Sequence, residues 1–353
     1  MDKEIKPQIL YEGKYSNKEL SLFKKQRKIF KEINSFENQL RELFEIKNPK
    51  LLKSQNFKKK QQIFINNRLQ SNKLGNWLYY PNDGTLLHTV NEKEYFELRT
   101  NRNKNLITKT EQSKLYESCI GILGMSVGSN LATTLAYHGV AKTLKLAEFD
   151  TLETTNLNRV RANITDIGRS KLDIAIDQIY KINPYANTLE FPAGLDDTSI
   201  KFFLRKPRPK IVFEIIDDFV MKIKLRLMAR KLGIPVVMMA NLGDRVLVDI
   251  ERFDLNKNTP LFNGILGDFP EVVLKNPNEN PNKYAIQIVG IENIPQRAID
   301  SVKQIGVSLV GRPQLSTTVT ISGAVGAFIA RKIILGDKKL KGRILLDLDK
   351  VLV

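Results

Sequence analysis

The stretch Cys119-Ile120-Gly121-Ile122-Leu123-Gly124-Met125-Ser126-Val127-Gly128-Ser129 decides the fold. Its first five residues read as a buried strand, Gly124 as the tight turn out of it, and residues 127–138 as the helix that follows. The alternation continues downstream, with a strand over Thr143–Phe149, a helix over 171–181, and strands at 188–192, Ile211-Val212-Phe213 and Val236-Val237-Met238. A helix over 219–232 separates the last two. This βαβ rhythm predicts an α/β class, with a doubly wound, mainly parallel Rossmann-like sheet and helices on both faces. Arg245–Phe253 reads as a further strand. Residues 255–283, rich in Asn, Pro and Gly, read as a long surface loop, and 317–335 as a final helix stopped by Gly336.

Upstream the pattern is different. Ser16 and Glu19 form a capping-box pair, and Leu20, Phe23, Phe30, Ile33, Phe36, Leu40 and Leu43 recur at helical spacing, which predicts one long amphipathic helix over 16–46. Trp77-Leu78-Tyr79-Tyr80 and Thr85-Leu86-Leu87-His88 flank Pro81-Asn82-Asp83-Gly84 and predict a β-hairpin. Residues 1–95 are accordingly expected to form an N-terminal accessory region, with the α/β domain occupying 96–353.

Composition narrows the class. A chain of 353 residues with 42% hydrophobic and 27% charged residues has ordinary globular usage. No stretch approaches the roughly 20 unbroken apolar residues of a membrane span, and MDKEIKPQIL has no signal-peptide core, so a soluble cytoplasmic protein is expected. One Cys excludes an intramolecular disulfide and a Cys-rich zinc cluster. The formal charge of +18 is concentrated upstream, where residues 1–110 carry 23 basic and 12 acidic side chains. Such an excess suits a well-solvated lysine-rich surface or a polyanionic partner.

The turn at Gly124 occupies the place where doubly wound folds carry a phosphate loop, and Gly124, Ser126 and Gly128 are its candidate nucleotide contacts. Asp150 follows Gly124 by 26 residues, at the end of the second strand, where a carboxylate accepts hydrogen bonds from a ribose. To this point a nicotinamide or flavin oxidoreductase and an ATP enzyme are equally supported.

The next segments are more specific. Thr155-Asn156-Leu157-Asn158-Arg159, Lys171 and Glu214-Ile215-Ile216-Asp217-Asp218 follow Asp150 in order, and Leu98-Arg99-Thr100-Asn101-Arg102 precedes the first strand. Together they make the chain similar, over about residues 95–335, to the ThiF/MoeB-type adenylyltransferases, whose fold is shared with ubiquitin-activating enzymes. The resemblance implies ATP and Mg²⁺ as cofactors. Asp150 would take the ribose, Asn156, Arg159 and Lys171 the phosphates, and Asp217 the metal. Arg102 would reach across a homodimer to the partner's nucleotide. The implied reaction is adenylation of a carboxylate: the C-terminal glycine of a ubiquitin-like or sulfur-carrier protein, a peptide, or a tRNA base reached through the basic N-terminal region.

Departures from the family pattern are equally informative. Met125 and Ser126 stand where Gly is usual, Asp218 replaces Asn, and Lys222 replaces a common Arg. The thioester or persulfide Cys and the zinc-binding C-x-x-C pairs are missing, and Cys119 reads as a small core residue, so chemistry is expected to stop at the acyl-adenylate or pass directly to an external nucleophile. An oxidoreductase accounts for Gly124 and Asp150 but leaves Asn156, Arg159, Lys171 and Asp217 unexplained. A non-catalytic nucleotide-binding regulatory module on the same fold is the remaining alternative.

Overall fold

In the computed structural model, residues 4–267, 274 and 281–352 are described, so residues 268–273 and 275–280 of the expected loop lie outside the described residues. The chain divides into two compact units. One comprises Met1–Lys109, Tyr137–Gly139 and Tyr180–Tyr185; the other comprises Thr110–Ala136, Val140–Ile179 and Ala186–Val353.

The N-terminal unit is built on a four-stranded sheet of β1 (Gln8–Leu10), β2 (Lys31–Asn34), β3 (Asn76–Tyr80) and β4 (Thr85–Thr89), in the order β1-β3-β4-β2. The expected hairpin is present as β3 and β4, paired antiparallel from Asn76↔Thr89 to Tyr80↔Thr85. The expected helix over 16–46 is not. It is divided into α1 (Asn17–Lys25), strand β2 and α2 (Phe36–Lys47). The capping box at Ser16 and Glu19 does open α1. The helical spacing fails as a guide beyond it because its apolar residues serve two separate cores. Leu20 and Phe23 pack with Trp77, Tyr79 and Leu86, whereas Phe36, Leu40 and Leu43 pack with Ile65 and Val90. Between them, Lys31–Asn34 runs parallel to β4 and takes its backbone hydrogen bonds from that strand, while Phe30, counted in the stripe, is 70% exposed. Tertiary pairing here overrides local periodicity.

The second unit carries a seven-stranded sheet. Its strands are β5 (Cys119–Leu123), β6 (Thr143–Ala147), β7 (Asn187–Phe191), β8 (Ile211–Glu214), β9 (Val236–Leu242), β10 (Arg245–Glu251) and β11 (Gly342–Asp347), in the order β11-β10-β9-β8-β5-β6-β7. The five from β9 to β7 are parallel, and β10 and β11 extend the edge antiparallel. The strand order reverses direction between β5 and β8, which in such sheets opens a crevice at the carboxyl ends. Helices lie on both faces. A β-carbon at Gly121 would meet Phe203 of the helix Ser199–Leu204, while its neighbour Ile122 faces Gly128 of the helix Met125–His138.

Ser316–Ile334 is long and apolar enough, by length and mean composition, to cross a membrane, although Ser, Thr, Arg331 and Lys332 interrupt its apolar run. It is a core helix: a β-carbon at Gly323 would press on Asn130 at 2.9 Å, and Gly326 lies against Leu131 and Met239. The expected loop over 255–283 is partly structured, with a turn at Leu261–Gly264 and a helix at Pro281–Val289.

A buried charge network ties β8, β10 and β11 together. Fully buried Arg226, on the helix Phe219–Leu232, donates to Glu214 at 2.8 Å and to Glu251 at 2.7 Å, and its guanidinium lies 4.0 Å from the Phe262 ring centre. Lys222 pairs with Glu214 at 2.6 Å, and Arg343 with Asp249 at 2.6 Å. Three carboxylates therefore meet three cations. The Phe262 amide donates to Glu251 and the Asn263 side chain to Asp249, which holds both residues at positive φ. Burial works to raise Glu214, but Lys222 and Arg226 overcome it and hold the carboxyl below its usual range. Burial, opposed by Arg226 and reinforced by Asp249, pushes Glu251 up to about 7.

Two outcomes follow from this architecture. Gly124 sits at φ +87°, and a β-carbon there would collide with the Ile215 carbonyl oxygen. Gly124→Ala should therefore lower unfolding stability by about 1–3 kcal/mol from the backbone conformation alone, measured by urea denaturation. Glu251 holds its proton to higher pH folded than unfolded, so between its ordinary value of 4.5 and about 7 it makes stability fall as pH rises. Glu251→Gln should gain on the wild type across that interval in urea midpoints, and a constant difference would refute the assignment.

Candidate active site

The expected residues of the second unit gather at the carboxyl ends of β5, β6 and β8 through a sequence of direct contacts. Gly124 needs its left-handed turn because Ile215, two residues before Asp217, comes against it; the Ile215 amide donates to the Leu123 carbonyl at 3.0 Å. Gly124 also donates its amide to the β6 residue Ala147 at 2.9 Å. The Met125 amide, at the helix N-terminus, donates to Glu148 Oε2 at 2.8 Å, while Glu148 Oε1 accepts from the Phe149 and Asp150 amides. One nearly buried carboxylate thus occupies a backbone donor of the turn after β5 and fixes the backbone that carries Asp150. Ser126 is half-buried on the first turn of this helix, and Gly128 lies against β5, where a β-carbon would meet Ile122 at 2.8 Å.

Asp150 and Lys171 are brought together, Lys171 Nζ donating to Asp150 Oδ2 at 2.9 Å. The lysine side chain is 9% exposed and the carboxylate 51%, so the pair stands at the edge of the crevice with one side open to solvent. Asn156 is buried in a short turn, its Oδ1 accepting the Glu153 amide at 3.2 Å. Arg159 donates to the Thr155 carbonyl and to Asn158 Oδ1, but its Nε is buried without a hydrogen-bond partner, and burial lowers its guanidinium pKa. A desolvated guanidinium with an unmet donor suits an anion.

Asp217 is 87% exposed and is paired by Arg312 at 2.7 Å. Its neighbour Asp218 caps the helix Phe219–Leu232 through the Met221 amide. Glu214 Oε1 accepts the Ile216 amide at 3.1 Å, so the buried charge network reaches the turn that presents Asp217. Lys222 is committed to Glu214. Arg102 lies exposed on a short turn of the N-terminal unit. Cys119 is buried in β5 beside the Pro207 carbonyl, and burial pushes its thiol up to about 11, far from a nucleophile's range.

Three participants lack a local sequence signal. Asn130 donates to the Arg159 carbonyl at 3.2 Å and accepts from Arg161 Nε at 2.5 Å, joining the helix after the Gly turn to the 155–161 segment. Glu148 is visible in sequence only as one more polar residue near a strand end. Arg312, with Gln314 accepting from Asn158 at 2.8 Å, closes the arrangement from far along the chain. The contacts form a ring: 124 with 215, 217 with 312, 314 with 158, 159 with 130, and 125 with 148. Among the described residues no group of three or more His, Cys, Asp or Glu gathers as a metal cage, so any cation here would rest on a carboxylate such as Asp217 and on waters or ligand oxygens, as magnesium does.

The family model described as the ThiF family matches residues 99–349. The uncharacterized protein MT1398 of Mycobacterium tuberculosis (strain CDC 1551 / Oshkosh) is 33% identical over 277 residues, which is 78% of this chain and 38% of that protein. The tRNA threonylcarbamoyladenosine dehydratase of Bacillus subtilis (strain 168) is 28% identical over 156 residues, covering 44% of this chain and 60% of the enzyme. The chain thus spans less than two thirds of the length of these relatives. Among solved structures, that of selenomethionine PaaA superposes with a TM-score of 0.51 at 21% identity, over 72% of this chain and 77% of that one, a likeness of fold.

The Lys171–Asp150 pair also permits a test of stability apart from chemistry. Because Asp150 is half-exposed, Lys171→Ala should cost no more than about 1 kcal/mol of unfolding free energy. A loss several times larger in urea unfolding would make Lys171 a structural residue first.

Proposed function

Because the chain belongs to the ThiF family, we propose that it is an ATP- and magnesium-dependent adenylyltransferase that activates a substrate carboxylate as an acyl-adenylate. The observation that carries this reading is the ring of contacts around the carboxyl ends of β5, β6 and β8. It gathers a left-handed Gly turn, the Asp150–Lys171 pair, the unmet Arg159 donor and the exposed Asp217 carboxylate. ATP fits this set: Asp150 keeps an exposed side for a ribose, and Arg159 and Lys171 supply positive charge for the phosphates. Asp217 would hold magnesium, which when bound neutralises phosphate charge.

In the proposed reaction a carboxylate oxygen attacks the α-phosphorus, the bond to the β-phosphate oxygen breaks, and pyrophosphate leaves. No side chain need act as general base, since a carboxylate is already ionised at neutral pH. The residues act by positioning and by electrostatic stabilisation. A thioester step is absent from this scheme because the single Cys is buried in a core strand. Arg102 would serve the partner's site in a homodimer.

The leading substrate is the C-terminal carboxylate of a ubiquitin-like or sulfur-carrier protein or a peptide. A carboxylate on a modified tRNA base is the second reading, favoured by the similarity to the tRNA threonylcarbamoyladenosine dehydratase and by the basic excess in residues 1–110. Salt separates the two, since a tRNA complex that neutralises several phosphates weakens steeply with ionic strength.

ATP–pyrophosphate exchange with candidate carboxylates tests the reaction. Exchange should depend on the carboxylate and fall by about 100-fold or more in Asp217→Ala and Lys171→Ala. Wild-type exchange in Asp217→Ala would remove the metal assignment. Nucleotide binding without exchange for any carboxylate would favour a regulatory module instead.

A further inference from the structure

We propose that Arg312 is an exchangeable cation of this site: it pairs with Asp217 and transfers to a polyphosphate oxygen when magnesium and ATP bind. The proposal rests on the ATP reading above and adds to it a residue outside the family motifs. Arg312 lies four residues before the helix Ser316–Ile334, on a segment fixed to the ring a second time by the bond from Asn158 to the Gln314 carbonyl. Pro313, between the two anchor points, restricts the backbone there. The guanidinium is therefore delivered to the crevice by a tethered segment.

Its present bond is weak by construction. The side chains of Arg312 and Asp217 are 55% and 87% exposed, and an ion pair so placed contributes little net stability. Release therefore costs little, in contrast to the fully buried Arg226 pairs. When Asp217 turns to a metal ion its charge is no longer available to Arg312, and the guanidinium is left beside the anion that the metal brings in. Guanidinium geometry matches phosphate oxygens in a paired, directional way that an ammonium does not reproduce. A fixed cation there also stabilises the charge that develops on departing pyrophosphate.

Isothermal titration calorimetry with magnesium and ATP, and separately with AMP, on wild type, Arg312→Ala and Arg312→Lys tests this. Arg312→Ala should weaken binding of ATP with magnesium about tenfold or more and leave AMP binding unchanged, with Arg312→Lys intermediate. Three results would overturn the proposal: unchanged ATP affinity, which makes the contact a surface ion pair; tighter ATP binding, which makes Arg312 only a competitor for Asp217; and parallel loss of ATP and AMP, which makes it structural. If the wild type binds neither nucleotide, the adenylation reading falls and this one with it. Wild-type binding with no effect at Arg312 removes this proposal alone.

Discussion

The absence of a β-carbon at Gly124 is the constraint on which the site depends. It lets the chain leave β5 in a left-handed turn while the Ile215 carbonyl comes within a distance that any side chain would forbid. The Gly124 turn and the strand exit that carries Asp217 are thereby brought into contact, although 93 residues separate Gly124 from Asp217 in the chain. A second close approach works in the same way. Gly323 allows the helix Ser316–Ile334 to lie against Asn130, whose amide spans Arg159 and Arg161. Two positions without side chains thus decide how near the polar side chains can gather.

Behind the crevice, the six charges around Arg226 and Asp249 do a different job. Burying one of them alone would cost several kcal/mol, and removing a single partner exposes that cost, so the group behaves as a unit. Its outlet toward the site is Glu214, which takes the Ile216 amide as well as Lys222 and Arg226. Its outlet toward the 255–283 segment is the pair of contacts to Phe262 and Asn263. The same cluster therefore sets the start of a long connection and the turn before Asp217.

Much of the α/β unit was legible in sequence because each element carries its own signal. The βαβ alternation, the apolar run at Cys119–Leu123 and the helix over 219–232 were all read correctly, and the order of Asp150, Asn156, Arg159, Lys171 and Asp217 led to the family. The N-terminal unit shows where that reading fails. Phe23, Phe30, Ile33 and Phe36 keep a helical rhythm, yet strand pairing with residues 85–88 takes the middle of it. Nor could local pattern reveal pairings made across distance. Arg312 meets Asp217 from 95 residues away, and Asn130 bonds to residues 29 and 31 positions on. Lys171 and Asp150 were expected to take separate parts of a nucleotide, and only the folded chain shows them holding each other.

The contrast between buried and open charge gives the molecule two electrostatic regimes. At physiological ionic strength the screening length is about 8 Å, and it acts on charges that water and ions can reach. Arg226, Glu214 and Glu251 lie at zero exposure and are out of its reach, whereas Arg312 and Asp217 stand in solvent. Added salt therefore loosens the rim of the crevice while leaving its floor intact.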